Sequence, residues 1–121
     1  WVGRVDRQDL IPFYQAASVF ALPSRWEGEP NVVLEAMAAE LPVLAAPVQG
    51  VQGLLAEHPG CLVAVPDNTP AAWAEVLAAR WQSLASLTPN LESAHQLASQ
   101  RSWNTTVDKH LAAYHSLKPG H

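Results

Sequence analysis

Three short apolar runs, each punctuated by proline or glycine, constrain this chain more than any other feature. They are "SVFAL" at 18–22, "VLAA" at 43–46 and "CLVAV" at 61–65. None alternates polar with apolar residues, so each reads as a strand buried on both faces. Helical stretches separate them. Leu10, Phe13, Tyr14 and Ala17 recur at spacings of three and four, which predicts a helix over 9–17 with Pro12 in its first turn. Pro30 starts a helix running to about Glu40. A loop at 47–53 leads to a short helix near Leu54–Glu57. Asp67-Asn68-Thr69-Pro70 is a start signal for a helix over 71–84, with Trp73, Val76, Leu77, Trp81 and Leu84 on one face. Trp1–Gly3 reads as the tail of a further strand. Strands alternating with helices give an α/β class, a parallel sheet with helices on both faces, over residues 1–85. Residues 86–121 form C-terminal helices packing on it. One starts at Thr88-Pro89 and reaches about Gln100. The other is capped by Ser102, runs through Leu117, and carries Val107, Leu111 and Tyr114.

Composition excludes several functions. Seven Lys and Arg face eleven Asp and Glu, and a net charge of -4 argues against a nucleic-acid footprint. One cysteine, Cys61, cannot form an internal disulfide, which fits a reducing, cytoplasmic setting; its apolar run makes it a small buried hydrophobe. Histidines 58, 95, 110, 115 and 121 lack the paired spacing of a zinc site, so no metal site is expected. No stretch approaches the roughly 20 apolar residues of a membrane helix. The opening "WVGRVD" reads as the interior of a protein, so the expectation is a fragment.

The chemistry concentrates in "SRWEGEPNVVLEAMAAELP", residues 24–42. Ligands of open parallel sheets sit at the carboxyl ends of strands, in strand-to-helix loops such as 23–29. The helix entrance at Pro30 offers amide donors and a positive dipole end suited to phosphate. Pro30 has no N–H, so Asn31, Val32 and Gly28 would supply the donors. Gly28 would also admit a close-lying ligand. Asn31 and Glu35 are four apart and share a face of an otherwise apolar helix. Ionised carboxylates only accept hydrogen bonds, so Glu27 and Glu35, flanking a phosphate site, suit a hydroxyl-rich ligand such as a nucleotide sugar. The bland alternatives are a Glu35 paired with Arg25 or Arg4, a solvated Glu27, and an ordinary helix-entry turn. Trp26 either stacks on a ring or packs the loop.

The segment "FALPSRWEGEPNVVLEAMAAELPVLAAPVQG" resembles the donor-binding domain of glycosyltransferase family 4, the group 1 retaining transferases of GT-B fold. Glu27 and Glu35 stand as its Glu-x7-Glu motif, followed by "AMAAELPVLA". The resemblance covers roughly residues 1–85 and weakly reaches Trp103. It implies a Rossmann-like domain, incomplete at its N-terminus, that binds a UDP- or GDP-sugar. By the same resemblance Glu27 is the candidate catalytic residue, holding hydroxyls of the donor sugar. Donor binding falls to Gly28, Glu29, Pro30, Asn31 and Val32 at the turn, and to Glu35 at the ribose. The family transfers the sugar with retention, needs no bound metal, and serves polysaccharide or glycoconjugate synthesis.

Three departures from the family pattern stand out. Glu29 replaces an apolar or aromatic residue, and is expected to face solvent or meet Arg25. The loop 47–54 lacks an acid often present there. The Arg/Lys pair that grips the diphosphate and the N-terminal acceptor domain would lie upstream, as would the first strands of the sheet. That domain is therefore an expected partner, and any membrane contact would run through it. The 18–22 strand would have an uncovered edge, open to pairing in a dimer. The rival function is a non-catalytic binding or oligomerisation module with a vestigial site. A flavodoxin-like phosphoacceptor is excluded by the missing aspartate cluster.

Overall fold

A computed structural model of the chain describes residues 1–81, 91–101 and 103–116. A 3-10 turn over Arg7–Asp9 precedes α1 (Ile11–Ala16). β1 (Phe20–Leu22), α2 (Asn31–Ala38), β2 (Val43–Ala45), α3 (Gln49–Glu57), β3 (Val63–Ala64) and α4 (Pro70–Trp81) follow. α5 (Leu91–Gln100) and α6 (Trp103–Ser116) end the chain. The strands form one parallel sheet in the order β1-β2-β3, with Phe20 opposite Val43 and Leu44 opposite Val63. The α/β architecture read from the alternation is therefore the one observed.

The central strand shows why its sequence is uniformly apolar. Val43 and Ala45 enter a cluster with Val33, Ala36 and Met37 of α2, Val51 and Leu54 of α3, and Ala94 and Leu97 of α5. Leu44 points the other way, into a second cluster with Val65, against which Trp73, Val76 and Leu77 of α4 pack. Side chains alternate faces along a strand, and here both faces are covered. Trp81 and Leu84, read onto the same α4 face, lie outside the described side chains, as does the Ser102 cap.

Local chemistry sets the helix ends. Thr69 Oγ1 accepts from the Ala72 amide at 3.3 Å, the cap read from "DNTP". α2 starts one residue later than expected: Pro30 is its cap, and its carbonyl accepts from the Val33 amide at 2.9 Å. Its far end is a Schellman motif. The Leu41 amide donates to Ala36 O and the Glu40 amide to Met37 O, both at 3.0 Å, and Glu40 adopts a left-handed φ of 57°. The Nδ1 of His95 on α5 lies 3.0 Å from the Ala38 carbonyl of α2.

Three readings need correction. Trp1–Gly3 forms no strand, and Trp1 and Val2 are exposed; a strand needs a ladder partner, and none of the described strands pairs there. The 47–53 loop is mostly helix, because α3 begins at Gln49 and contains both Gly50 and Gly53. Val107 and Leu111 of α6 are exposed instead of forming a packed face. Among the described residues no helix is long and apolar enough to cross a membrane.

Candidate functional site

The loop joining β1 to α2 leaves the carboxyl end of β1 and is held at three successive points. At its start, Asn68 Nδ2 donates to the carbonyls of Pro23 (3.3 Å) and Ser24 (3.0 Å). Asn68 is itself fixed, since its Oδ1 accepts from Trp73 Nε1 at 2.8 Å. In the middle, the Gly50 amide of α3 donates to the Glu27 carbonyl at 3.1 Å. Here the two backbones touch: a Cβ on Gly50 would lie 2.2 Å from Gly28 O. At its end, Glu29 Oε1 accepts from Arg101 Nη1 at 3.1 Å, and Arg101 Nη2 also meets Glu57. The sequence reading placed Glu29 in solvent or against Arg25; its partner is Arg101, 72 residues away.

The acids of the Glu-x7-Glu pair have separate surroundings. Glu27 is half-buried, and its Oε1 accepts from Ser24 Oγ at 2.6 Å. Glu35 is half-buried on α2, and its Oε2 accepts from Tyr14 OH at 3.0 Å. Tyr14 is set by α1 and by its ring contact with Phe20, at 5.9 Å between centroids. Glu35 is thus reached by a tyrosine hydroxyl that the sequence reading did not pair with it. It also lines an open cleft of about 980 Å³ between α1 and α2, with Asp6, Tyr14, Gln15 and Glu40. A second cleft, of about 480 Å³, is lined by Gly28, Glu29, Pro30, Gly50, Glu57 and Arg101. The turn and Glu35 therefore face different depressions.

The turn's own backbone differs from expectation in one respect: the Asn31 amide, expected as a ligand donor, donates to the Glu29 carbonyl at 2.9 Å. Gly28 has open space where a Cβ would stand, and a close backbone approach occurs at Gly50. Pro30 is fully buried, Val32 is half-buried and Asn31 is exposed. Trp26 is 79% exposed, so it does not pack the loop. Cys61 is buried, and that burial raises its thiol pKa above the ordinary value, against smaller lowering effects of a backbone hydrogen bond and Arg101. Among the described residues no His, Cys, Asp and Glu side chains gather as metal ligands do.

Sequence reasoning missed Asn68, Gly50 and Arg101. Asn68 was read only as part of a helix start, and Gly50 as a loop glycine. Arg101 carried no signal at all, because its partners are remote in sequence.

Comparison with known proteins bears on these features. The chain is 36% identical over 110 residues to a D-inositol 3-phosphate glycosyltransferase of Corynebacterium urealyticum, covering 91% of this chain and 26% of the relative. It is 39% identical over 113 residues to D-inositol 3-phosphate glycosyltransferase 1 of Catenulispora acidiphila, covering 93% and 27%. For the Streptomyces coelicolor D-inositol 3-phosphate glycosyltransferase the identity is 37% over 120 residues, covering 94% and 26%. The chain thus spans about a quarter of the length of these relatives. The family model "Glycosyl transferases group 1" matches residues 1–83, which takes in the sheet, the β1–α2 loop and both glutamates. This chain belongs to the glycosyl transferases group 1 family.

Proposed function

We propose that the chain is the C-terminal part of the donor domain of a retaining glycosyltransferase and carries half of a nucleotide-diphosphate-sugar site. The observation that carries the reading is the placement of Glu35. It sits on the helix that follows the β1 loop, half-buried, accepting from Tyr14 OH and lining an open cleft. A ribose diol is a hydroxyl donor of the kind such a carboxylate accepts. Glu27, on the preceding loop, serves the sugar hydroxyls. The α2 entrance, with its dipole, lies where a diphosphate is stabilised as negative charge develops on it.

In the reaction the acceptor oxygen bonds to the anomeric carbon, and the bond from that carbon to the diphosphate oxygen breaks. The diphosphate leaves with the electron pair, and the acceptor proton passes to the departing phosphate. The product serves polysaccharide or glycoconjugate synthesis. Acceptor recognition belongs to an N-terminal domain of the longer protein. The outer edge of β1 is where the earlier strands of that protein's sheet pair.

The test is titration of the chain and of the longer protein with UDP-glucose and GDP-mannose by calorimetry. Binding that disappears in Glu35→Ala, with the circular dichroism unchanged, is the expected result. No binding of any UDP- or GDP-sugar by the longer protein ends the reading.

One observation favours a second reading. Among the described strands β1 pairs on one side only. A chain that sediments as a dimer, and ignores every nucleotide sugar, would be an oligomerisation module with a vestigial site.

A further inference from the structure

The segment matched by the family model ends at residue 83, yet a residue beyond it grips the 28–30 turn. Arg101 stands at the corner after α5. Its amide donates to the Ala98 carbonyl at 3.2 Å, which fixes the corner to the end of that helix. α5 in turn is seated on the core through the buried Ala94 and Leu97. The Arg101 side chain is only 26% exposed, and its two terminal nitrogens reach the β1–α2 loop and α3. Nη1 holds Glu29, two residues before α2, and Nη2 holds Glu57, the last residue of α3. A planar guanidinium fork that binds two carboxylates fixes direction as well as distance. All three side chains line the smaller cleft together with Gly28.

We propose that Arg101 is a positioning residue of the donor site, setting the Gly28–Pro30 turn from the C-terminal helices by tying Glu29 to Glu57. The proposal rests on the reading of that turn as part of a nucleotide-sugar site. It gives Glu29, the acid that departs from the family pattern, a role as a handle on the turn. It also makes the α5 corner part of the site's machinery.

The test is a double-substitution cycle read by amide resonances of the nitrogen-15-labelled chain, without ligand. Arg101→Met and Glu29→Gln are each expected to move the Gly28 and Gly50 amide signals, and the double variant is expected to move them no further. Arg101→Lys restores charge without the fork and recovers the signals only in part. Each single substitution weakens UDP-glucose or GDP-mannose binding about three- to fivefold, as for loss of a partly exposed ion pair. Unmoved Gly28 and Gly50 signals in Arg101→Met, or effects that add in the double variant, overturn the proposal. If neither sugar nucleotide binds the longer protein, the donor-site reading fails at that point. The resonance cycle still decides whether Arg101 sets the turn.

Discussion

Replacing Gly50 with alanine tests the contact that seats α3 on the β1–α2 loop. The added Cβ would stand 2.2 Å from Gly28 O, 2.9 Å from Gly28 C and 3.0 Å from Glu27 O. Carbon and oxygen prefer about 3.5 Å, so the two backbones must part by about 1 Å. All three opposing atoms are main chain, and no side chain can swing aside. Separation on that scale breaks the 3.1 Å bond from the Gly50 amide to the Glu27 carbonyl. Loss of the bond costs about 1 kcal/mol, and residual overpacking about 1–3 kcal/mol. Alanine returns about 1 kcal/mol as the better helix former. The net expectation is a loss of about 1–3 kcal/mol, or a melting temperature lower by about 5–10 °C. Gly53 is the internal control. It lies in the same helix with nothing within 4 Å of its would-be Cβ, so Gly53→Ala should gain about 0.5–1 kcal/mol. Urea titrations followed by far-ultraviolet circular dichroism give both values. A Gly50→Ala chain no less stable than Gly53→Ala would refute the close approach.

Three further outcomes are expected. Glu40→Gly relieves a left-handed φ of 57° at the end of α2 and should raise stability by about 1 kcal/mol, read from the urea midpoint. Asn68→Ala removes both bonds to the loop and leaves the Trp73 indole N–H without its acceptor. It should cost about 2 kcal/mol and shift the Trp73 Nε1 resonance. Asn68→Asp keeps that acceptor but sets a carboxylate against two carbonyls, and should do no better in the same melting assay. Burial raises the Cys61 thiol pKa above its ordinary 9.0, so the folded chain holds its proton where the unfolded chain releases it. That contribution is complete below pH 9.0 and is lost as pH rises through the folded value. Urea midpoints at rising pH should therefore fall more steeply for the natural chain than for Cys61→Ala.

Much of the fold was legible because it depends on short-range pattern. The apolar runs gave β1 to β3 within a few residues, and "DNTP" gave the α4 cap. Proline marked the α2 entrance to within one residue. The errors have identifiable physical causes. Gly50 and Gly53 read as loop residues because glycine usually signals a turn. Gly50 instead lies in a helix, where a close backbone approach leaves no room for a side chain. Trp1–Gly3 has strand-like composition, but a strand exists only with a neighbour to pair. At the site, the Glu27 and Glu35 pair was visible from its spacing. What holds it was not: Tyr14 lies 21 residues from Glu35, Asn68 lies 44 from Ser24, and Arg101 lies 72 from Glu29. Such partners are set by topology, which a local pattern does not encode.

Among the described residues the two sides of the sheet are unequal: twelve buried residues make up one cluster, and Leu44 and Val65 the other. Cohesion scales with the apolar area withdrawn from water, so α4 is held to its face of the sheet more loosely than α2, α3 and α5 are held to theirs. Its departure would unhook Trp73 from Asn68 and slacken the grip on Pro23 and Ser24, while α2, α3 and α5 stayed locked together. The loop bearing Glu27 therefore has a loosening route that leaves most of the domain folded, and the stiffness of its first half is borrowed from the thinner core.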